Sequence, residues 1–181
     1  MQKSIMQKFK RYFMWFILGV VLVIVGEVLS YFPVPSWVFY FVGVIYICGL
    51  AFLIVALIFK MMLLHAMYKR IYENKEDIGP GKAVGFLFIP AFNIYWIFFA
   101  YGSLIGRIKK YLQKYTIDHR MGACKWIAVL SILLMWAGPI TSFVFGDVFE
   151  IISLIGAFLM VFYLYKCAKA IEKIEQFQKI Q

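Results

Sequence analysis

A chain of 181 residues that is 64% hydrophobic and 15% charged, with a mean hydropathy of +0.84, is too apolar to fold as a soluble globular domain. These values predict an all-α integral membrane protein, in which the placement of the formal +10 charge matters more than its size. The aromatic complement of 19 Phe, 12 Tyr and 5 Trp suits a chain that lies at or across a membrane interface, where amphipathic rings settle.

At the start of the chain, Ile5, Met6, Phe9 and Phe13 recur at helical spacing, with Lys3, Lys8, Lys10 and Arg11 on the other face. This predicts a short basic surface helix feeding a first span over about residues 13–31, anchored by Tyr12 and Tyr31. The run ends in Tyr-Phe-Pro-Val-Pro-Ser-Trp without a small-residue cleavage site, so a retained span is expected rather than a signal peptide. Pro33 and Pro35 turn the chain in an uncharged loop. A second span is predicted over about residues 37–60, its helix continuing past the membrane surface until Gly79-Pro80-Gly81 breaks it.

The central stretch, from Ala83 to Gly102, is apolar, interrupted by Pro90 and Asn93, and bounded on both sides by basic residues. After it, Leu104, Ile105, Ile108, Tyr111, Leu112 and Tyr115 form one helical face, and Arg107, Lys109, Lys110 and Lys114 fill the other. That pattern predicts an amphipathic surface helix over about residues 104–117, lying flat on an anionic leaflet, with these four cations as lipid or partner contacts. A third span is expected over about residues 126–145, bent or ended near Gly138-Pro139. A fourth follows an acidic turn over about residues 150–165, and residues 166–181 then form a charged cytoplasmic helix.

Counting charges decides the expected topology. Lys and Arg fall in four clusters: 4 before the first span, 5 from Lys60 to Lys82, 6 from Arg107 to Lys125 and 4 from Lys166 onward. If residues 83–102 crossed the membrane, the clusters would divide 9 against 10; if that stretch enters and leaves on one side, they divide 19 against 0. The positive-inside bias selects the second arrangement. It gives four spans, both termini cytoplasmic, and a re-entrant or deeply interfacial hairpin turning at Pro90 and Asn93. Within that hairpin Pro90 breaks the helix, and Asn93 is expected to satisfy backbone groups left open by the break. Gly85, Tyr95, Trp96, Gly102 and Gly106 are the expected packing residues, the last two glycines at a small-xxx-small spacing suited to helix contact. Open backbone at membrane depth survives only inside protein or facing water, so the hairpin is expected among the spans or at a subunit interface.

The segment GKAVGFLFIPAFNIYWIFFAYGSL resembles a motif of small bacterial four-span membrane proteins of uncharacterised function, in which a G-K-A-V-G-F start leads into P-x-F-N-x-Y-W. The resemblance is local, about 25 residues of the 181. It implies a multi-pass protein of the bacterial inner (cytoplasmic) membrane and attaches no reaction.

Chemical constellations are sparse. Gly79-Pro80-Gly81-Lys82 lacks the full phosphate-loop pattern, with Ala83 where the hydroxyl residue belongs, and reads better as a turn with an interfacial lysine. His65 and His119 lie far apart without further ligands at metal spacing, and Asp118 beside His119 points a different way on a helix. Cys48, Cys124 and Cys167 form no C-x-x-C pair, and no disulfide is expected on the reducing side. Glu27, inside an apolar run, is the intramembrane polar candidate for an ion or partner contact, set against a plain location near the outer interface. Lys60 is a weaker candidate, because its stem can snorkel. On this topology 19 basic residues against Glu73, Glu76, Asp77, Asp118, Glu172 and Glu175 leave +13 on the cytoplasmic side, which favours anionic lipid over nucleic acid as partner.

No cofactor, metal or catalytic residue is assigned. The leading expectation is a non-enzymatic homo-oligomeric membrane protein, a permeability effector or regulator of the kind used in bacterial defence or stress response, acting with a cytosolic protein partner. The alternatives are a small-solute or ion transporter and a lipid-modifying membrane enzyme. Visible catalytic groups are lacking for the enzyme, and repeats or several buried polar groups are lacking for the transporter.

Overall fold

The computed structural model describes residues 4–33, 35–72, 79–117, 121–145 and 150–180. Every element among them is helical: α1 (Ile5–Ser30), α2 (Ser36–Arg70), α3 (Pro80–Gly85), a 3₁₀ turn (Phe86–Phe88), α4 (Pro90–Lys114), α5 (Cys124–Phe145) and α6 (Glu150–Ile180). Three helices are long and apolar enough to cross a membrane, over Ile5–Ser30, Trp37–Arg70 and Ile151–Gln178; a shorter apolar segment spans Cys124–Ala137. The chain divides into two compact units, residues 1–64 and 65–181.

In the first unit α1 and the first part of α2 pair antiparallel. Glycines set their separation: a Cβ on Gly49 would stand 2.9 Å from the Val23 nitrogen, and one on Gly19 would stand 2.8 Å from Leu53. Helices gain no hydrophobic drive from each other in lipid, so close backbone approach is what holds such a pair. Trp15 adds aromatic contact with Phe52 at 5.2 Å and Phe59 at 6.5 Å. Outward residues such as Val21, Ile24, Ile47, Ile54 and Ile58 are exposed, as lipid-facing side chains are. The basic N-terminal segment, expected as a short surface helix feeding the first span, and that span form one continuous helix. Residues on both sides of Tyr12 are helix formers without Gly or Pro, so α1 runs on from its Ser4 cap, whose side chain accepts from the Gln7 N–H at 3.2 Å.

In the second unit α5 and α6 are antiparallel and very close. A Cβ on Gly156 would stand 2.7 Å from the Met135 nitrogen, and Ser153 donates to the Met135 carbonyl at 3.3 Å. The α5 backbone stays helical through Gly138-Pro139 to Phe145, so the helix does not end there. α4 runs parallel to α6: the Tyr163 hydroxyl donates to the Tyr101 carbonyl at 2.7 Å, and further along Gln178 donates to the Tyr111 hydroxyl at 2.7 Å. The end of α2 belongs to the same unit, where Tyr68 donates to the Ala100 carbonyl and Arg70 pairs with Glu175 at 3.1 Å. These pairings gather the C-terminal ends of α2, α4 and α6 and the start of α5 at one end of the unit. That end carries Lys69, Arg70, Arg107, Lys110, Lys125 and Lys169.

Two expectations for this region are corrected. Residues 104–117 do not form a separate helix; α4 continues unbroken from Pro90 through Gly102 and Gly106 to Lys114. Nor does its apolar face rest on lipid, because Leu104, Ile105, Ile108, Tyr111 and Leu112 are buried in protein. Periodicity reports which face seeks an apolar neighbour and is silent on whether that neighbour is lipid or another helix.

Candidate functional site

The hairpin is built from α3, the 3₁₀ turn and the first turns of α4. Pro80 opens α3 at its first turn, where a missing N–H costs nothing. The reversal falls at Ile89, whose φ of −90° and ψ of 109° are extended, and Pro90 then starts α4. A residue before proline is pushed out of the helical region by the pyrrolidine ring, so Pro90 sets the turn through its neighbour. Trp96 ties the two arms by donating its indole N–H to the Ala83 carbonyl at 3.0 Å. Around that bond, Phe86 meets Trp96 edge-on at 4.9 Å and Phe92 stacks on Trp96 at 5.3 Å.

The expected site residues separate into those the fold uses and those it does not. Trp96 is 8% exposed and holds the hairpin together, whereas Tyr95 is 66% exposed and meets only Phe92 and Phe99 of its own helix, at 6.2 and 6.5 Å between ring centres, among the described residues. A Cβ added to Gly85, Gly102 or Gly106 would meet nothing within 4 Å, so these glycines mark no close approach. Asn93 does not cap the break. The cap position is Ile89, four residues earlier, and the Asn93 Oδ1 is buried without a hydrogen-bond partner among the described residues. Of the four cations, Arg107 is half-buried with its guanidinium 5.5 Å above the Tyr68 ring. Lys109 lines a cleft of about 620 Å³ with Gln113, Thr116 and Met121, while Lys110 and Lys114 are exposed. Glu27 is exposed on α1 with no ion pair among the described residues. Lys60 is only 8% exposed and therefore sheltered by protein, which removes snorkelling as its explanation.

Sequence reasoning passed over the layer that fixes α4. Tyr68, Tyr101 and Tyr163 are each at most 1% exposed. Tyr68 also lies 2.6 Å from the Ser103 hydroxyl, and the Tyr101 and Tyr163 rings meet edge-on at 5.7 Å. Buried hydroxyls that reach backbone carbonyls on another helix fix both separation and register. The available signal was three tyrosines placed one, six and three residues before basic residues, at Lys69, Arg107 and Lys166.

Among the described residues no group of three or more His, Cys, Asp or Glu side chains could hold a metal ion. Asp118 and His119 lie outside the described residues. The fold thus defines an all-helical protein with helices fit to cross a membrane, clustered cations at one end of its second unit and an aromatic hairpin. The chain matches no family model, no curated protein and no solved structure.

Proposed function

We propose that this chain is a four-span protein of the bacterial inner membrane, non-enzymatic and oligomeric, with both termini cytoplasmic, residues 83–102 re-entering from the cytoplasmic side, and α4 serving as a lever. Its task is to regulate membrane permeability in response to a cytosolic partner. The 19 to 0 division of Lys and Arg supports the topology. The observation that carries the mechanism is the continuity of α4 across the tyrosine layer. Tyr68 and Tyr163 hold the helix at Ala100 to Ser103. One arm, from Pro90 to Phe99, ends in the hairpin turn, and the other, from Leu104 to Lys114, ends in exposed Lys110 and Lys114. Each arm is about 15 Å long. A helix without a hinge transmits tilt from one end to the other.

Each exposed lysine near an anionic leaflet contributes about 1 kcal/mol of attraction. A partner with an acidic surface competes with lipid for Lys110 and Lys114, and shifts the hairpin if it binds one tilt more tightly than the other. The test is Lys110→Glu combined with Lys114→Glu, followed by ion and dye flux in liposomes holding purified protein. With the leaflet attraction made in one tilt and not the other, loss of about 2 kcal/mol shifts the equilibrium by more than about tenfold, so flux changes at least several-fold while insertion and particle size stay normal. Unchanged flux and partner binding in a normally assembled variant would leave α4 as an anchor only.

A further inference from the structure

Resting on the re-entrant reading above, we infer that the outward stripe of α4 and the turn before it form a wedge in the acyl chains of the cytoplasmic leaflet, with lipid rather than a second copy of this chain as its neighbour. Phe92, Tyr95, Phe99, Gly102, Gly106 and Lys110 follow one another at three- and four-residue spacing along one face of α4, opposite the buried face. Just before the helix, Phe88 is 68% exposed.

Depth follows from the pairing with α6. Tyr101 is level with Tyr163, which stands shortly before Lys166, and because the helices are parallel the arm from Tyr101 back to Pro90 heads in the same direction as the α6 residues that precede Tyr163. Eleven residues separate Tyr101 from Pro90, which is about 16 Å of helix against about 30 Å of hydrocarbon. The turn therefore reaches about the midplane and falls well short of the opposite surface.

Charge and shape both select lipid. Copies of a membrane protein share one orientation, so two chains joined through this stripe would bring Lys110 against its own equivalent, whereas an anionic headgroup complements it. The open Gly102 and Gly106 would admit a neighbouring helix only if the rest of the stripe were small. Phe99, Tyr95 and Phe92 occupy that same face about one, two and three turns before Gly102 and hold a second backbone off. The hairpin also needs no outside partner to close, since Trp96 and Ala83 join its arms and Phe86, Phe92 and Trp96 pack on one another.

The test places benzoylphenylalanine at Phe88 or at Tyr95 of the full chain, in vesicles of phosphatidylethanolamine and phosphatidylglycerol, and reads the photo-adducts by mass spectrometry. Both sites are exposed, so the larger side chain leaves the fold intact, and an insertion at exposed Ile94 serves as a third position. The expected result is a chain-plus-one-lipid adduct at each site, with attachment nearer the chain terminus for Phe88 than for Tyr95. Chain-to-chain adducts at Tyr95, or lipid adducts at neither site, would overturn the wedge. Lipid adducts together with unaltered flux in the charge-reversed protein would leave the wedge standing and remove the lever; dimer adducts with altered flux would do the reverse.

Discussion

Single glycines show how differently one residue type behaves along this chain. At Gly156 an added methyl would collide with backbone atoms of α5, the nearest at 2.7 Å, and backbone cannot swing aside. Gly156→Ala should therefore lower stability by about 1–3 kcal/mol, read as a lower unfolding temperature in detergent. Gly106→Ala should do the opposite, since its Cβ would point into open space and alanine improves a helix interior by up to about 1 kcal/mol. Thr116 offers a third case. It ends α4 with a φ of 53°, while Ile117 donates to the Leu112 carbonyl at 2.9 Å and Thr116 to that of Gln113 at 3.2 Å. That double bond is the helix ending in which glycine normally occupies the left-handed position. A β-branched residue there is strained, so Thr116→Gly should raise stability by about 1 kcal/mol, measured by the same thermal scan.

At the scale of elements, what was legible in the sequence was apolar periodicity and punctuation by proline. The helical character of residues 36–70, the reversal beside Pro90 and the apolar stripe of residues 104–112 all follow from those two signals. What was not legible was what each stripe packs against. Leu104 and Ile108 would read the same on a leaflet as they do against helices, and the small-xxx-small pair at Gly102 and Gly106 reads like a contact although a Cβ at either would meet nothing within 4 Å. The glycines that do set helix contacts, Gly19, Gly49 and Gly156, lie in spans whose uniform hydrophobicity hides any face. The turn supports a sharper separation between two neighbours. Pro90 acts on Ile89, whereas the Asn93 side chain makes no capping bond. Asn93→Leu alone should thus keep the hairpin, and stability should hold or rise, because a buried unpaired oxygen costs about 1–3 kcal/mol. Pro90→Leu alone should lengthen α4 toward α3 and alter protease sensitivity around Lys82. Equal behaviour of the two variants in limited proteolysis would contradict this division of roles.

For the whole molecule, the account stands on the path of the chain between α2 and α5. The end of α2 and the end of α4 meet the same end of α6, through Arg70 with Glu175 and through Tyr111 with Gln178. Together with the positive-inside bias, that geometry supports the proposal that residues 79–114 make an excursion and return to their starting side. The direct measurement is labelling of single introduced cysteines by a membrane-impermeant maleimide in intact cells. Native thiols contribute little background on the proposed topology, since Cys124 and Cys167 are buried and the exposed Cys48 lies within the apolar run of α2, where the bilayer would shield it from an impermeant reagent. Cysteines at Ser36 and Asp147 should react from outside, while one at Lys114 should react only after the membrane is opened. Labelling of Lys114 from outside would show that residues 79–114 cross the bilayer, and the re-entrant account would be wrong.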